Sequence, residues 1–523
     1  MMDKIDLITQ PSQIINARIS LLNSSLQPVG AFSGAIVSMN FNVDNSSAIR
    51  RTLALSVSSP DATGVLQSIE SIWIDKIVMV EYGIYDFSMG DYQWFKLGTF
   101  VLSNSSYGFG VGEQQVDMNL IDLMGLASDP RGSQIGHDVT VYMDSDIKAA
   151  LTATINDFTH LSQCDIINFD ATVPYDLEFS KGIYPLDILN SLIELYLYYE
   201  QYFNKDGVYT VRLLPMTYYD ELALTADDMN KIIIDDTGGG DYSEIANAIE
   251  VWGMELDAQY TAKTCETVNY DTYKLFIDET FEVLEDGMTV SFTTSSSNLF
   301  GQKIQIQETA ALPLYIQRGD GTYVAIGTGA MKNDTAYCVK YTDNRYVLQG
   351  ELLIHAVAIE FNVEPSEEYK TELKKKYDTN NISFVINPGS RFAADQAGIG
   401  IVNRVLSGGD YDNIYTTELA LERARYELWK ATRLRNSKQI TCVFVPWLEV
   451  NEKIEYSSIV DGVTKQFLVE SISTNFDGTM TLTISEFFPL YQWLTNTTWG
   501  GLTRHTWNDV KDVKWGNIDE FGR

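Results

Sequence analysis

Two-residue alternation of polar and apolar side chains, recurring along the chain, is the feature that most constrains what this sequence can fold into. Thr479-Met480-Thr481-Leu482-Thr483-Ile484 alternates in this way, and so does Lys303-Ile304-Gln305-Ile306-Gln307. Successive side chains of an extended chain point to opposite faces, so the pattern fits a strand with one buried face. The run Lys76-Ile77-Val78-Met79-Val80-Glu81-Tyr82 is nearly continuous and β-branched. That suits a strand covered on both faces. Asp206-Gly207, Asp320-Gly321, Asp461-Gly462 and Asp477-Gly478 punctuate such runs. Asp-Gly tolerates the positive φ that tight hairpins need. The chain is therefore predicted to be mainly β with some α, an α+β class.

Three helices are predicted. Pro185 to Phe203 begins with proline in the first turn and carries Leu186, Leu189, Leu192, Ile193, Leu195 and Tyr196. Pro365 to Lys376 is short and charged, with Glu372 and Lys376 four apart. Thr417 to Arg435 repeats Leu421, Ala424, Leu428 and Ala431 at spacings of three and four, one apolar stripe.

At 523 residues the chain exceeds a single core. The predicted segments are a β domain at 1–130 and an α/β domain with the Tyr-rich helix at 131–235. After the Gly238-Gly239-Gly240 linker comes a second, discontinuous β domain at 236–264 and 391–490. A β-rich insertion at 265–390 interrupts it, and a C-terminal arm occupies 491–523.

Charge narrows the class of partner. Thirty-seven Lys and Arg stand against seventy-one Asp and Glu, a net charge of −34. Such a surface repels nucleic acid and anionic membranes. One reading is solubility; the sharper one is a surface that avoids holding a polyanion. Basic residues gather once, as Arg423, Arg425, Lys430, Arg433, Arg435 and Lys438. This cluster is either local compensation on a solvated helix or a contact for acidic patches on an identical neighbour. The N-terminus lacks a basic start and a long apolar core, so no signal peptide is expected. No apolar run approaches about 18 residues, so no membrane insertion is expected.

Signals for catalysis are weak. Cys164, Cys265, Cys338 and Cys442 never approach the spacing of a zinc site or redox pair, and scattered thiols suit a reducing cytoplasm. His137, His160, His355 and His505 form no metal-binding spacing, and His355 reads as a hydrogen-bonded sheet residue. No Gly-x-Ser-x-Gly elbow is present. Glu194 and Glu200 are the best-placed carboxylate pair, but six residues apart puts them on different faces of a helix. The expectation is a non-enzyme with no catalytic residue, no metal site and no cofactor.

The arm holds a repeat. Trp499-Gly500-Gly501-Leu502, Trp507-Asn508-Asp509-Val510 and Trp515-Gly516-Asn517-Ile518 share the form Trp-x-x-aliphatic at a spacing of eight. An even period keeps the three indoles on one face of an extended segment. They need a groove, on this protein or on another. Trp499, Leu502, Trp507, Val510, Trp515 and Ile518 are the candidate partner-binding residues.

In order along the chain, several blocks resemble the baseplate hub or tail-tip proteins of tailed bacteriophages of Gram-positive hosts. They are Ala48-Ile49-Arg50-Arg51-Thr52-Leu53, Ile72-Trp73-Ile74-Asp75-Lys76 and Trp94-Phe95-Lys96-Leu97-Gly98-Thr99-Phe100-Val101. Further along are Asp241 to Gly253, Ala420 to Leu428, Ile440 to Val443 and Gln466 to Ile472. The resemblance implies two tube-like β-barrel domains per chain. It also implies a trimeric ring that joins tail tube to tip and lines the DNA channel. Expected partners are further copies of the chain, adjacent tail-tube, distal-tail and tip or fibre proteins, and passing genomic DNA without specific binding. The location implied is the virion tail tip or baseplate, assembled in the host cytoplasm. An acidic channel lining is expected to keep DNA from sticking. The alternatives are a distal tail ring, a receptor-binding adhesin, or a tail-associated cell-wall hydrolase with its site in the insertion.

Overall fold

The computed structural model describes residues 4–487, apart from 32–34, 59–76, 111–112, 170–171, 175, 240–244, 280–283, 319–320, 388–389, 391, 396–398, 434–436 and 461. The chain opens with a short helix, α1 (Lys4–Ile8), and seven strands. These are β1 (Ile15–Leu22), β2 (Pro28–Ala31), β3 (Ala35–Asp44), β4 (Arg51–Ser58), β5 (Ile77–Asp86), β6 (Asp91–Gly110) and β7 (Glu113–Asp122). In β4, Arg51, Leu53, Leu55 and Val57 are buried while Thr52 and Ala54 are exposed, as the alternation requires.

An α/β module follows. It holds β8 (Val139–Val141), α2 (Ile147–Thr159), β9 (Cys164–Ile166), β10 (Leu177–Phe179), α3 (Pro185–Glu194), β11 (Tyr199–Phe203) and β12 (Tyr209–Leu213). Asp146 caps α2 by accepting from Ala149 N at 2.7 Å, and Pro185 opens α3. The helix expected to reach Phe203 stops at Glu194. Tyr198 takes φ +80°, and Tyr199–Phe203 pairs antiparallel with β12. The reason is the turn between them: Asn204 Oδ1 accepts from Asp206 N and Val208 N, and Gly207 takes φ +78°. With a hairpin partner on offer, an aromatic-rich run prefers the strand.

Next come β13 (Leu222–Leu224), α4 (Ala226–Ile232) and β14 (Ile233–Gly239). The glycines expected to form a linker instead end β14, where Gly238 and Gly239 pair with Lys438 and Ser437. Strand β15 (Ala248–Glu255) precedes nine strands, β16 (Tyr260–Thr261) to β24 (Arg345–Glu351), which form one sheet around their own core of Tyr273, Val290, Ile304, Tyr346 and neighbours. Then follow β25 (Leu353–Phe361), α5 (Glu367–Lys376), β26 (Ile382–Ile386), β27 (Asn403–Leu406) and α6 (Thr417–Arg433). The described chain closes with β28 (Ser437–Val443), β29 (Lys453–Ser457), β30 (Thr464–Thr474) and β31 (Thr479–Glu486).

Strand β15 does not enter the second barrel as expected. It lies in a four-stranded sheet of order β26-β25-β15-β27. Ala420, Ala424 and Leu428 of α6 cover one face of that sheet, and Leu373 of α5 covers the other. The β-rich insertion is therefore narrower than 265–390, because β25 and β26 belong to this layered α/β unit.

The largest sheet has thirteen strands, with the main path β14-β28-β31-β30-β3-β4-β7-β6-β5-β1-β2 and with β29 and β13 attached through β30. Strands β1–β7 of the first expected barrel and β14 and β28–β31 of the second thus share one sheet. They also share one core, which runs from Ile19, Phe41, Leu53, Tyr82 and Phe100 to Ile440, Tyr456, Ile472 and Leu482. Tyr82 meets Phe444 and Phe476 edge to face across it. The α/β module packs on the opposite face of the sheet, against Leu22, Ile77 and Val101.

Candidate assembly interface

The N-terminal and C-terminal strand groups meet at a single seam, β3 against β30. Phe41, Asn42, Val43 and Asp44 pair antiparallel with Thr474, Ser473, Ile472 and Ser471. Side chains extend the join: Asn45 Nδ2 donates to Asn451 Oδ1 at 2.7 Å, and Asn40 Nδ2 donates to Asn475 Oδ1 at 2.6 Å. Buried apolar positions on one face fix this register, since a one-residue slip would turn Val43 and Ile472 outward.

Behind the seam lies a buried charge node that ties three stretches of sequence together. Glu200 on β11 pairs with Arg50 at 2.7 Å and with Arg212 on β12 at 2.5 Å, and accepts from Asn451 Nδ2 at 2.6 Å. Arg50 and Glu200 are each about 5–6% exposed, so this pair is withdrawn from water. The Arg50 guanidinium lies 4.2 Å from the Tyr202 ring centre. Arg51 pairs with Glu449 and donates to the Phe203 carbonyl, and Lys205 reaches Glu449 at 2.9 Å. Burial opposes ionisation of Glu200, but Arg50 and Arg212 outweigh it and hold the carboxyl below its ordinary range. A polar cavity of about 630 Å³ adjoins the node, lined by Arg212, Met216, Asp220, Asn451 and Lys453 among others. Lys453 is fully buried, donating to the carbonyls of Thr217 at 2.7 Å and Asp220 at 3.1 Å. Burial pushes its ammonium down to about 8.

The thirteen-stranded sheet also has edges to spare. Among the described residues, β5 pairs with β6 over residues 91–101, and residues 104–110 of β6 bond on one side to β7. At the other end β14 pairs only with β28 among the described residues, and its Ile234 is 58% exposed. Unpaired edges are templates for another chain.

The residues singled out in the sequence fall in several places. Arg423 pairs with Glu427 at 3.1 Å and lies over the Tyr411 ring. Arg425 donates to Ser383 Oγ at 2.7 Å, and Lys430 pairs with Glu427 at 3.2 Å. These three have partners within their own chain. The Arg433 side chain, Arg435 and the arm residues Trp499, Leu502, Trp507, Val510, Trp515 and Ile518 lie outside the described residues. Glu200 is in the charge node, while Glu194 ends α3. His355 is buried on β25, hydrogen-bonded to Glu250 at 2.9 Å and stacked on Trp252. Among the described residues no three His, Cys, Asp or Glu side chains cluster to hold a metal ion, and no helix is long and apolar enough to cross a membrane. Sequence reasoning missed the seam and the node. The adjacent Arg50-Arg51 pair at the start of β4 is the signal in the sequence for the node.

Residues 390–491 match the model of a family described as a domain of unknown function, DUF5048. That span takes in β27, α6 and β28–β31. No curated protein matches the sequence. Among solved structures, a tail protein from Neisseria meningitidis MC58 aligns over 91% of this chain and 98% of its own, at 10% identity and a TM-score of 0.43. A 43 kDa tail protein of prophage MuSo2 from Shewanella oneidensis aligns over 91% and 99%, at 8% identity and 0.44. The prophage tail protein gp18 from Listeria monocytogenes EGD-e aligns over 90% and 94%, at 7% identity and 0.38.

Proposed function

We propose that this chain is a structural, non-catalytic subunit of a bacteriophage tail tip, of the baseplate hub type. Three copies close a ring that joins the tail tube to the tip and lines the DNA channel. The observation that carries this reading is the β3–β30 seam. Two strand groups from distant parts of one chain already join edge to edge into a continuous sheet, and among the described residues β14 and the outer half of β6 are each bonded on one side. A head-to-tail contact of that kind generates a ring when its rotation closes. The exposed edge of β6 in one copy meets β14 of the next by strand addition. Each copy then contributes the sheet segments on both sides of its seam, six in all. The order of hub-like sequence blocks supports the same assignment. Adjacent tail-tube, distal-tail and tip or fibre proteins are the partners, with the Trp arm as the docking element, and the site of action is the virion.

The test is the subunit count of the purified full chain, by mass photometry and by imaging down the ring axis. Three copies around a channel are expected. Ile234→Lys, which places a charge on the β14 edge, is expected to leave the melting midpoint within about 1 °C and to yield only monomer. A wild-type monomer at every concentration, or a ring unaffected by this substitution, overturns the proposal.

A second reading, a receptor-binding adhesin, is favoured by one feature of the β16–β24 unit. Tyr270 and Phe300 are 86% and 73% exposed. Their turns lie side by side, since Lys303 N donates to the Asp271 carbonyl at 2.7 Å. Binding to a glycan array that Tyr270→Ala and Phe300→Ala abolish would favour it.

A further inference from the structure

One face of the large sheet packs on the shared core; among the described residues nothing apolar packs on the other across β28, β31, β30, β3, β4, β7 and the outer half of β6, where the side chains are half-buried or exposed. The strand registers fix what that open face carries. One row runs Thr441, Thr481, Ser473, Asn42 and Thr52, crossing the seam without a break in polarity. A second runs Asn40, Ala54, Asn119 and Asn104. The rows on either side, Gln439 to Asp44 and Ser38 to Ser106, add Gln439, Ser and Thr residues, and two carboxylates, Asp44 and Asp117. No Lys or Arg occurs in these four rows. The surfaces of soluble domains are ordinarily about 25–35% charged. This chain carries 71 acidic residues and a net charge of −34, so a nearly uncharged face is a local exception to its own composition.

The polar groups of the face are also largely spent on one another. Asn42 Nδ2 donates to Asn40 Oδ1 at 2.6 Å, and Asn40 in turn donates to Asn475 across the seam. Asn119 Nδ2 donates to Asn104 Oδ1 at 2.5 Å. Ser56 Oγ and Gln115 Nε2 both donate to Asp117 Oδ1, at 2.5 and 2.8 Å. A phosphate approaching this wall meets no cation, and several of the amide donors it does meet already have acceptors.

We propose that this face is the wall along which double-stranded DNA slides, and that it works by carrying almost no fixed charge. The proposal rests on the tail-tip reading and changes its mechanism. The acidic lining expected from the net charge is not what this face presents. A basic lining would hold DNA, since each phosphate contact releases counterions and strengthens binding. A dense acidic lining would repel it over a screening length of about 8 Å and so oppose entry. A hydrated hydroxyl and amide surface does neither. Apart from Asp44 and Asp117, and Asp235 where the first row continues onto β14, the acidic residues lie outside these rows.

Phage carrying two variants of the full chain test this. Thr52→Lys, Ala54→Lys and Gln439→Lys together add cations at three exposed positions. Asp44→Asn with Asp117→Asn removes the carboxylates from the four rows. Incorporation into purified tails is measured first, then the rate of DNA ejection triggered in vitro at low and high salt. The lysine variant is expected to incorporate normally and to eject at least tenfold more slowly at low salt. High salt should restore its rate, which a folding defect would not allow. The asparagine variant is expected to eject at the wild-type rate. Slow ejection by the asparagine variant would mean that the wall works by acidic repulsion and would overturn the proposal. So would wild-type ejection by the lysine variant. Absence of the wild-type chain from purified tails would instead overturn the tail-tip reading itself, and this proposal with it.

Discussion

Glu200 lies in a tyrosine-rich run, and from sequence it belongs to a helix with Glu194 as a distant companion. The structure puts it on a strand between two arginines that come from opposite sides in sequence, Arg50 and Arg212. No local pattern encodes such a meeting, because the partners are 150 and 12 residues away. Replacing Glu200 by Gln leaves Arg50 buried without its counter-charge, and breaking a buried pair in this way costs about 3–5 kcal/mol. A urea titration should register that loss, and the double change Arg50→Met with Glu200→Leu should recover much of it. A double variant as unstable as the single one would mean that the node is not a charge pair in energetic terms. Lys453 allows a test of sign. Its ammonium titrates at about 8 in the fold, against about 10.4 in an unfolded chain. Between those values the unfolded state binds more protons, so stability rises with pH; below about 8 the penalty of burying the charge is fully present. The urea midpoint of wild type should therefore rise relative to that of Lys453→Met from pH 8 to 10.5. A flat difference would show that Lys453 is not buried as a cation.

At the scale of elements, the alternating runs were legible and their neighbours were not. Thr479–Glu486 and Arg51–Ser58 form strands with the buried faces that their alternation specifies. Residues 199–203 and 238–239 went the other way for one shared reason: each gained a strand partner that local sequence does not announce. Tyr199–Phe203 found β12 through the Asn204–Gly207 turn, and Gly238-Gly239 found β28 some 200 residues on. Glycine weakens a strand but does not prevent pairing. The helix at 417–433 was legible because its stripe of Ala424, Leu428 and Ala431 is buried against β25 and β15 as periodicity requires. In the proposed ring, β14 is the element on which assembly turns. Bonded along one edge only among the described residues, β14 should exchange its outward-pointing amides between Ile233 and Gly239 rapidly with solvent deuterium in a monomer. In the assembled ring they should be protected at least tenfold more. Equal exchange in both states would remove β14 from the interface.

On the scale of the whole molecule, core boundaries rather than sequence order define what folds together. Strands on either side of the seam share one core although Asn40 and Asn475 are 435 residues apart. The β16–β24 unit has a core of its own. Its two ends are neighbours: Glu255 pairs with Leu353, and Leu256 N donates to the Leu352 carbonyl at 3.0 Å. The unit therefore hangs from a β-hairpin, with β15 and β25 as the strands and 258–350 in place of the turn. Replacing those residues with Asn-Gly, whose positive φ suits a two-residue hairpin turn, should close β15 onto β25 directly. The shortened chain is expected to keep its large sheet, its charge node and its ring assembly. Because separate cores unfold separately, calorimetry of the full chain should resolve a transition that the shortened chain lacks, with the remaining transition within about 2 °C. If the shortened chain fails to fold, the β16–β24 unit is a structural part of the chain's main body rather than an appendage. If it folds and assembles but the phage no longer adsorbs, the unit carries receptor recognition.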